Sequence, residues 1–285
     1  MNDFIAFAHS HGAAIRELHP SDRIRRCPTI AHPRSTNGAY WFDGTRGWVQ
    51  NWETDGGPQW WNEPSARPWT EADKRRWAAQ RQAADEDRLR DQHRAAARAG
   101  ELIAQAVPDA HGYLKTKGFP ETKGLVLPSG GLLVPMRDVA TNVLVGAQVI
   151  QLAENRWRKK MLPGTRAKGA VFVIGPRRAP EYVLCEGYAT GLSIQAAVQL
   201  LRLKLSVVVC FSAQNLVHVA ALVGGRRFVF ADNDASETGA RAATATGLPW
   251  VMSPDIGEDA NDLHLRAGLL AVSKLVMQAR TNRSI

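Results

Sequence analysis

The sequence predicts an α/β protein whose C-terminal part is a parallel sheet with helices on both faces. From residue 180 onward, short apolar runs alternate regularly with segments of helical length, which is the pattern of β-α units. Residues 109–178 differ, because short β-type runs there are mixed with many basic residues. Residues 1–66 are rich in Gly, Pro and Trp. We therefore expect a small, mostly β module, then a mixed α+β basic subdomain, then the parallel sheet.

The first 66 residues contain short candidate strands, AYWFDG and GWVQNW, between turn signals, after an α-helical start. Six of the nine tryptophans fall between residues 41 and 69. They form either a compact aromatic core or a surface on which nucleic-acid bases stack. Because so small a module needs large side chains to fill its interior, we expect most of them in the core.

Residues 67–108 predict a helical connector. Thr70 and Asp73 have the spacing of a helix start, and no proline follows until Pro108. The segment is highly charged and has little apolar face, which predicts a long helix that is partly exposed to solvent.

Composition limits the class of protein. Hydrophobic residues make up 45% of the 285, enough for a sizeable core. No apolar run approaches the roughly 18 residues of a membrane span, and the N-terminus lacks the features of a signal peptide. The three cysteines are too few and too scattered for a disulfide framework. We expect a cytoplasmic protein without a membrane partner.

The positive charge is concentrated in the first part of the chain. The formal net charge is +9, and residues 1–170 hold 25 Lys+Arg against 18 Asp+Glu, or +7. Residues 137–168 alone hold seven basic and two acidic side chains. This distribution favours a polyanionic partner such as nucleic acid. The alternative is that basicity only reflects an arginine-rich genome.

Residues 179–285 carry acidic groups where predicted strands end. Predicted strands end near Glu186 and near Asp232 and Asp234. The last helix is predicted as one continuous element over 261–279. In parallel sheets, sites form at the carboxyl ends of the strands. We expect these carboxylates at one edge of the sheet.

Asp259 and Asp262, three residues apart at a helix start, add to this edge. Five carboxylates in one place repel each other unless a cation lies among them. Hard oxygen ligands with no Cys or His cluster nearby indicate Mg²⁺ or Mn²⁺ rather than zinc. Each cluster also has a structural alternative, since aspartates commonly form turns and cap helices.

Three of these segments, EGYATGLSI (186–194), FADND (230–234) and GEDAND (257–262), resemble the signature segments of the Toprim domain. That domain occurs in bacterial-type primases, topoisomerases and some nucleases. Preceding segments, including LLVPMRD (132–138) and RKKMLPG (158–164), resemble DNA primases of phage and plasmid type. The resemblance covers about residues 110–265. It implies that residues 109–178 are the basic part of a primase catalytic core and 179–285 a Toprim-type sheet.

The resemblance implies synthesis of short RNA primers from ribonucleoside triphosphates on a single-stranded DNA template. It makes Glu186 a metal ligand or base, Asp232 and Asp234 the principal ligands of divalent ions, and Asp259 and Asp262 the completion of the acidic patch. Basic residues that would contact template or nucleotide phosphates are Lys160 and Lys168, followed by Lys159, Arg156 and Arg137.

The N-terminus departs from the primase pattern. The segment 26–52 lies where such primases carry a zinc ribbon, yet only Cys27, with His32 five residues on, is a candidate ligand. The local residues do not supply the four ligands of a zinc site at any familiar spacing. We expect a descendant of the ribbon that binds no zinc.

Two rival functions use the same residues. A Toprim-type nuclease would use the carboxylates without the 132–164 segment, and a non-catalytic accessory protein would bind single-stranded DNA without synthesis. A topoisomerase is disfavoured, because no tyrosine domain is evident. The Walker phosphate-binding pattern is missing, so a separate helicase or other replication protein is the expected partner.

Overall fold

The part of the chain that the computed structural model describes is residues 2–54, 57–64 and 68–281. The chain divides into two compact units, 1–80 and 81–285. The predicted boundary between the first module and the connector, at 66/67, lies outside the described residues. The predicted four-part division stays a prediction.

The first unit contains a helix and a four-stranded antiparallel sheet in the order β1-β2-β3-β4. Phe4 of the helix packs on Phe42 of the sheet with ring centroids 4.8 Å apart. The elements are α1 (Asn2–Ser10), β1 (Ser21–Cys27), β2 (Gly38–Phe42), β3 (Arg46–Asn51) and β4 (Gln59–Asn62).

The six tryptophans between residues 41 and 69 divide into three groups. Trp41 and Trp48 are buried, whereas Trp52 and Trp60 are 40% and 54% exposed. The remaining two, Trp61 and Trp69, are half-buried. The prediction that most of these tryptophans fill the core is correct for Trp41 and Trp48 and partly correct for Trp61 and Trp69. It is wrong for Trp52 and Trp60. The sheet has two faces: α1 packs against one, and Trp77 packs with Trp41 and Trp48 on the other.

A single long helix, α2 (Glu71–Gln105), follows, as the sequence predicts. Thr70 and Asp73 form the expected reciprocal cap, since each backbone N–H donates to the other's side chain at 3.1 and 3.2 Å. Only Ala95 and Ala99 are buried among the described side chains of the helix. Its small apolar stripe packs on the sheet of the second unit, within residues 81–105.

The second unit begins with antiparallel strands around a short helix. β7 pairs with β8 and β8 pairs with β9, and this hairpin carries the basic tract of the sequence. The elements are β5 (Val107–Asp109), α3 (Gly112–Thr116), β6 (Gly124–Val126), β7 (Leu132–Asp138), β8 (Leu144–Ala153), β9 (Arg156–Met161) and β10 (Ala170–Ile174).

The predicted parallel sheet follows, with helices on both of its faces. Its strands run β14-β13-β11-β12 in parallel, and the antiparallel β10 joins them to β7, so that one mixed sheet of ten strands results. The elements are β11 (Glu181–Cys185), α4 (Tyr188–Leu200), β12 (Leu205–Val209), α5 (Ala213–Leu222), β13 (Arg226–Ala231), α6 (Thr238–Ala245), β14 (Trp250–Met252), α7 (Ala260–Ala267) and α8 (Leu269–Thr281).

The core of this sheet has two layers. Val183, Val207 and Phe230 face α4, α7 and α8, whereas neighbours such as Leu184 and Val229 face α5 and α6. Alternation along each strand explains the division, because successive side chains point to opposite faces. Burial on both faces makes the strands almost continuously apolar. This confirms the predicted fold class.

The prediction of one continuous last helix over 261–279 is wrong. Gly268, at φ 80° and ψ 168°, separates α7 from α8, so two helices stand where one was expected. That backbone conformation suits glycine and ends a helix. Among the described helices, none combines the length and hydropathy that crossing a bilayer requires.

Candidate functional site

The predicted acidic residues lie at the carboxyl ends of the parallel strands. Glu186 directly follows β11, and Asp232 directly follows β13, which pairs with β11. Because the two strands run in parallel, both carboxylates lie at the same edge of the sheet. Asp259, at the start of α7, and Asp234 complete a group whose charges influence Asp232. We term these four residues the carboxylate edge.

Asn233 fixes the two aspartates beside it relative to the segment before α7. Its backbone exchanges hydrogen bonds with that segment, donating to the Glu258 carbonyl at 3.1 Å and accepting from the Gly257 N–H at 2.6 Å. Its side-chain amide donates to the Ser253 carbonyl at 3.0 Å. Two signature segments that are distant in sequence are thereby joined through backbone contacts.

Asp234 is occupied by backbone donors. One carboxylate oxygen accepts from the Ser236 and Thr238 N–H groups, and the other accepts from the Gly239 N–H at 2.9 Å. Burial acts to raise the pKa of Asp234, but a hydrogen bond from the Ser236 hydroxyl, together with these backbone hydrogen bonds, outweighs it and the pKa is lowered. Asp234 is therefore ionised and holds the turn that leads into α6.

Asp259 caps α7. One of its oxygens accepts from the Asn261 and Asp262 N–H groups at 2.7 and 2.9 Å, and the other accepts from the Thr190 hydroxyl at 2.9 Å. The alternative role weighed for this residue, a helix cap, is thus present in the structure. The Thr190 contact also ties α7 to the first turn of α4, next to Glu186.

Asp232 and Glu186 have the opposite surroundings. Within the described residues, Asp232 Oδ1 is buried and has no hydrogen-bond partner. Burial, with the neighbouring charges of Asp259 and Glu186, raises the pKa of Asp232 to about 7. Burial and then Asp234 raise the pKa of Glu186 as well. The negative charge of these two carboxylates is only partly compensated by nearby groups.

Asp262 lies further out. It completes the cap of α7 through a long contact of 3.4 Å with the Asp259 N–H, and its other oxygen is 3.6 Å from Lys117 Nζ. Lys117 follows α3, so this pair links the basic subdomain to the parallel sheet within the second unit. We find Asp262 beside the carboxylate edge but engaged with a lysine.

Lys159 is the basic side chain that acts on this edge. Its charge lowers the pKa of both Glu186 and Asp232, against the larger effect of burial. It lies over the ring of Tyr113 at 5.7 Å. Lys159 pairs across the hairpin with Ile150, so the two side chains lie on the same face of the hairpin. Ile150 packs in the same hydrophobic cluster as Tyr188 and Ala189 of α4.

Lys160 occupies the other face of the hairpin. Its cross-strand partner is Val149, which packs with Ala99 of α2. Strand alternation places Arg158 and Arg156 on the face of Lys160. The sequence ranked Lys160 above Lys159, and the strand register instead puts Lys159 on the side of the carboxylates.

The other predicted basic residues are exposed and more distant in the topology. Arg137, at the end of β7, donates to the Asn142 carbonyl at 3.1 Å. Lys168 lies in the turn before β10, and Arg156 begins β9. No described contact brings these three to the carboxylate edge.

Cys27 and His32 of the first unit are engaged separately. Cys27 is buried, and burial raises the pKa of its thiol to about 11. His32 Nδ1 is 2.9 Å from the Glu53 carboxylate. Within the part of the chain that the structure describes, neither residue belongs to a group of three or more side chains that could hold a metal ion.

The carboxylate edge fits a hydrated divalent ion. Within the described residues, no three Asp, Glu, His or Cys side chains converge closely enough to hold a metal directly. However, the orphaned oxygen of Asp232 and the raised pKa of Glu186 show uncompensated negative potential. Mg²⁺ retains several waters and binds through one or two carboxylates, so it does not require three converging protein ligands.

Sequence reasoning missed three residues that build the site. Thr190 and Asn233 lie inside the quoted signature segments but carry no charge, so an analysis of carboxylates passed over them. Gly239 has the plainest reason to be glycine, because a Cβ there would lie 2.1 Å from the Asp232 carbonyl oxygen. The sequence signal that could have identified Gly239 is its position shortly after Asp232 and Asp234.

The parallel sheet and the carboxylate edge lie in a part of the chain that is similar to a known domain family. Residues 181–269 match the family model described as the Toprim domain. Toprim domains generally bind divalent metal ions such as Mg²⁺.

Among solved structures, the chain is similar to the DnaG catalytic core. The identity is 16% and the TM-score 0.38, over 62% of this chain and 68% of that chain. A likeness of this size carries no argument about activity. No curated protein is significantly similar to the chain.

Proposed function

We propose that this chain is a DNA primase of phage or plasmid type, which synthesises short RNA primers on single-stranded DNA in the cytoplasm with Mg²⁺ or Mn²⁺. One observation carries the proposal. The unpartnered carboxylate oxygen of Asp232 lies beside Glu186 at the end of the parallel strands, and Lys159 of the basic hairpin faces the same place. Anionic ligands for metal and a cation for phosphate thus occur together.

Primer synthesis joins two ribonucleotides when a 3′-hydroxyl attacks an α-phosphate and pyrophosphate leaves. Bound divalent ions supply activation of the attacking oxygen and charge neutralisation at the leaving one. In this proposal Asp232 and Glu186 hold the ions, and Asp234 and Asp259 add negative charge while fixing the surrounding turns. Lys159 neutralises charge on the nucleotide phosphates.

The outer face of the hairpin suits the template. Lys160, Arg158 and Arg156 lie along one side of β9, exposed to solvent. Such a row can follow a phosphate backbone, because each cation that meets a phosphate releases a counterion. Lys168 and Arg137 extend the basic surface in the same subdomain, and Asp262 with Lys117 helps to join that subdomain to the sheet.

For the first unit we propose a ribbon-derived module without zinc. The buried, weakly acidic thiol of Cys27 and the engagement of His32 with Glu53 support this. Metal analysis of purified protein is expected to find no zinc, and one equivalent per chain would contradict it. We further propose that a separate helicase unwinds the duplex.

The primary test is a primer-synthesis assay with purified protein, single-stranded DNA, ribonucleoside triphosphates, and Mg²⁺ or Mn²⁺. Short RNA products are expected, and the Asp232→Ala/Asp234→Ala variant should make none. A Glu121→Gln variant, at an exposed position outside the site, is the control. Failure to make RNA with either metal, or unchanged synthesis by the double variant, would overturn the proposal.

A Toprim-type nuclease is the second candidate, because the family match covers only residues 181–269, the part that such nucleases share. Labelled DNA incubated with protein and metal but without nucleotides separates the two. Degradation that the double variant lacks would support the nuclease, and intact DNA supports the primase. Metal-independent DNA binding with neither activity would identify an accessory protein.

A further inference from the structure

A second concave site lies at the opposite end of the parallel sheet from the carboxylate edge. Its walls include the segments before β11 and before β13, and Gly175, which contacts the start of β12. These are the amino ends of the parallel strands. The cavity, which we term the amino-end pocket, has a volume of about 710 Å³. Ligand pockets commonly lie in the range of about 300–1,000 Å³.

The floor of the amino-end pocket is apolar. Val139 and Val173 are half-buried there and pack against the core layer under α5, to which the buried Val171, Val208 and Val223 belong. Leu222, the last residue of α5, is 50% exposed there. Exposed branched side chains around a concavity favour a ligand with a flat or apolar body.

Three arginines stand at the rim: Arg137, Arg177 and Arg178, all exposed. The first two each donate to a backbone carbonyl, Asn142 and Ala140, at 3.1 Å. Within the part of the chain that the structure describes, none of the three is paired with a carboxylate. A guanidinium has five donors in a planar fork that matches phosphate, so Arg137 and Arg177 keep further donors beyond these two contacts.

The one acidic side chain of the lining is already compensated. Asp138 accepts from the Thr141 N–H and hydroxyl and from Arg166 at 2.7 Å. The rim therefore keeps a positive potential. Tyr182 also holds the arginine segment in place, since its hydroxyl donates to the Arg177 carbonyl and accepts from the Ala179 N–H.

We propose that the amino-end pocket binds a nucleotide, with its base against the valine floor and its phosphates on Arg177 and Arg178. An inorganic anion would leave most of the cavity empty and the apolar floor uncovered. A nucleotide covers the floor and brings several negative charges to the three guanidiniums. This site is distinct from the carboxylate edge and does not depend on metal or on primer synthesis.

Gly224 allows a clean test. A Cβ built there meets no atom within 4 Å, and its φ is not in the left-handed region, so a side chain projects into open space. Because Gly224 lines the cavity, Gly224→Trp should fill the pocket without disturbing the fold. Gly224→Leu is a smaller second variant, and thermal unfolding checks that both are folded.

The experiment is calorimetric titration of ATP into the full chain in EDTA, which removes divalent ions from the carboxylate edge. The wild-type protein should bind ATP more tightly than tripolyphosphate or adenosine alone. Arg177→Ala/Arg178→Ala should weaken binding by roughly tenfold or more, because charge-assisted hydrogen bonds are lost. Both Gly224 variants should weaken it too, and Arg81→Ala, at an exposed arginine outside the pocket, should not.

Four results would overturn the proposal: no ATP binding in EDTA, an equal loss in Arg81→Ala, full binding by both Gly224 variants, or displacement of ATP by polyglutamate as readily as by ADP. Loss of binding in Glu186→Gln would place the nucleotide at the carboxylate edge and overturn it as well. Primer synthesis is measured separately, so failure of this proposal leaves the proposed function untouched.

Discussion

Strand β11 carries a glutamate near each of its ends, and the two have opposite surroundings. Glu181, at the amino end, accepts hydrogen bonds from Arg280 at 2.6 and 3.0 Å and from Arg226 at 3.0 Å. These arginines, Arg280 first, lower the pKa of Glu181. Glu186, just past the carboxyl end, lies among aspartates, and burial followed by Asp234 raises its pKa.

The difference is between a charge that ion pairs stabilise and a charge to which we propose a functional role. The arginines at Glu181 come from β13 and α8, so that ion pair clamps three elements together. At Glu186 the parallel strands bring like charges together, and the charge of Lys159 opposes them. Such an arrangement costs stability, and it is the kind that active sites retain. The predictions below test this contrast.

The largest effect is expected from Asp232→Asn. The amide keeps the shape but removes negative charge, so primer synthesis should fall roughly 10²–10³-fold, the usual scale for losing one electrostatic catalytic group. The melting temperature should be unchanged or higher, because a buried, unpartnered carboxylate is removed. Primer assays and thermal unfolding measure the two. A loss of activity that merely follows a loss of stability would contradict the functional role.

Lys159→Ala and Lys160→Ala form a matched pair on opposite faces of β9. Lys159→Ala should reduce kcat/KM for nucleotide about tenfold, because its charge acts on the carboxylate edge. Lys160→Ala should mainly weaken binding of the DNA template and reduce its salt dependence. Steady-state kinetics and DNA titrations at two salt concentrations separate them. If Lys159→Ala mainly weakened DNA binding and Lys160→Ala mainly reduced kcat/KM for nucleotide, the positions of the two lysines on opposite faces of β9 would not explain their roles.

Asp259→Ala should lower the free energy of unfolding by about 1–2 kcal/mol, since α7 loses its N-cap. Asp259→Ser retains a capping oxygen and should recover most of that stability. Comparing the activity of the serine variant with wild type then shows what the carboxylate adds beyond the cap. Equal stability of the alanine variant and wild type would argue against the cap.

The smallest effect is expected from Glu181→Gln, about 1 kcal/mol at neutral pH. Because the folded pKa of Glu181 lies below its ordinary value of 4.5, its contribution is present above that pH and is lost as pH falls through the folded pKa. The difference between wild type and variant should therefore shrink below about pH 4. Denaturant unfolding across pH, with Glu121→Gln as control, measures it. A constant difference would contradict the linkage.

Much of the sheet could be predicted from the sequence. The apolar strands and the acids that follow them are local signals, and the rule for parallel sheets places those acids at one edge. Residues such as Glu186 and Asp232 were therefore within reach. The break at Gly268 was a missed local signal, because glycine occurs inside helical patterns as well as at their ends.

Other features depend on contacts that no local pattern encodes. Lys159 and Lys160 differ only by the register of a hairpin, and a shift by one residue would exchange their faces. Trp60 is 54% exposed although its cross-strand partner Trp48 is buried, a difference that depends on tertiary packing. The hydrogen bonds that join Asn233 to Glu258 and Gly257 form between backbones 24 or more residues apart.

This backbone junction has a consequence for how the chain can vary. It closes residues 234–256 into a loop whose two ends are held together regardless of what lies between. The exposed turn at Gly247, between α6 and β14, sits on the far side of that loop. Insertions or deletions there would change the length of the chain but not the spacing between the acidic motifs, so the turn is a natural place for lineages to diverge or for a tag to be introduced.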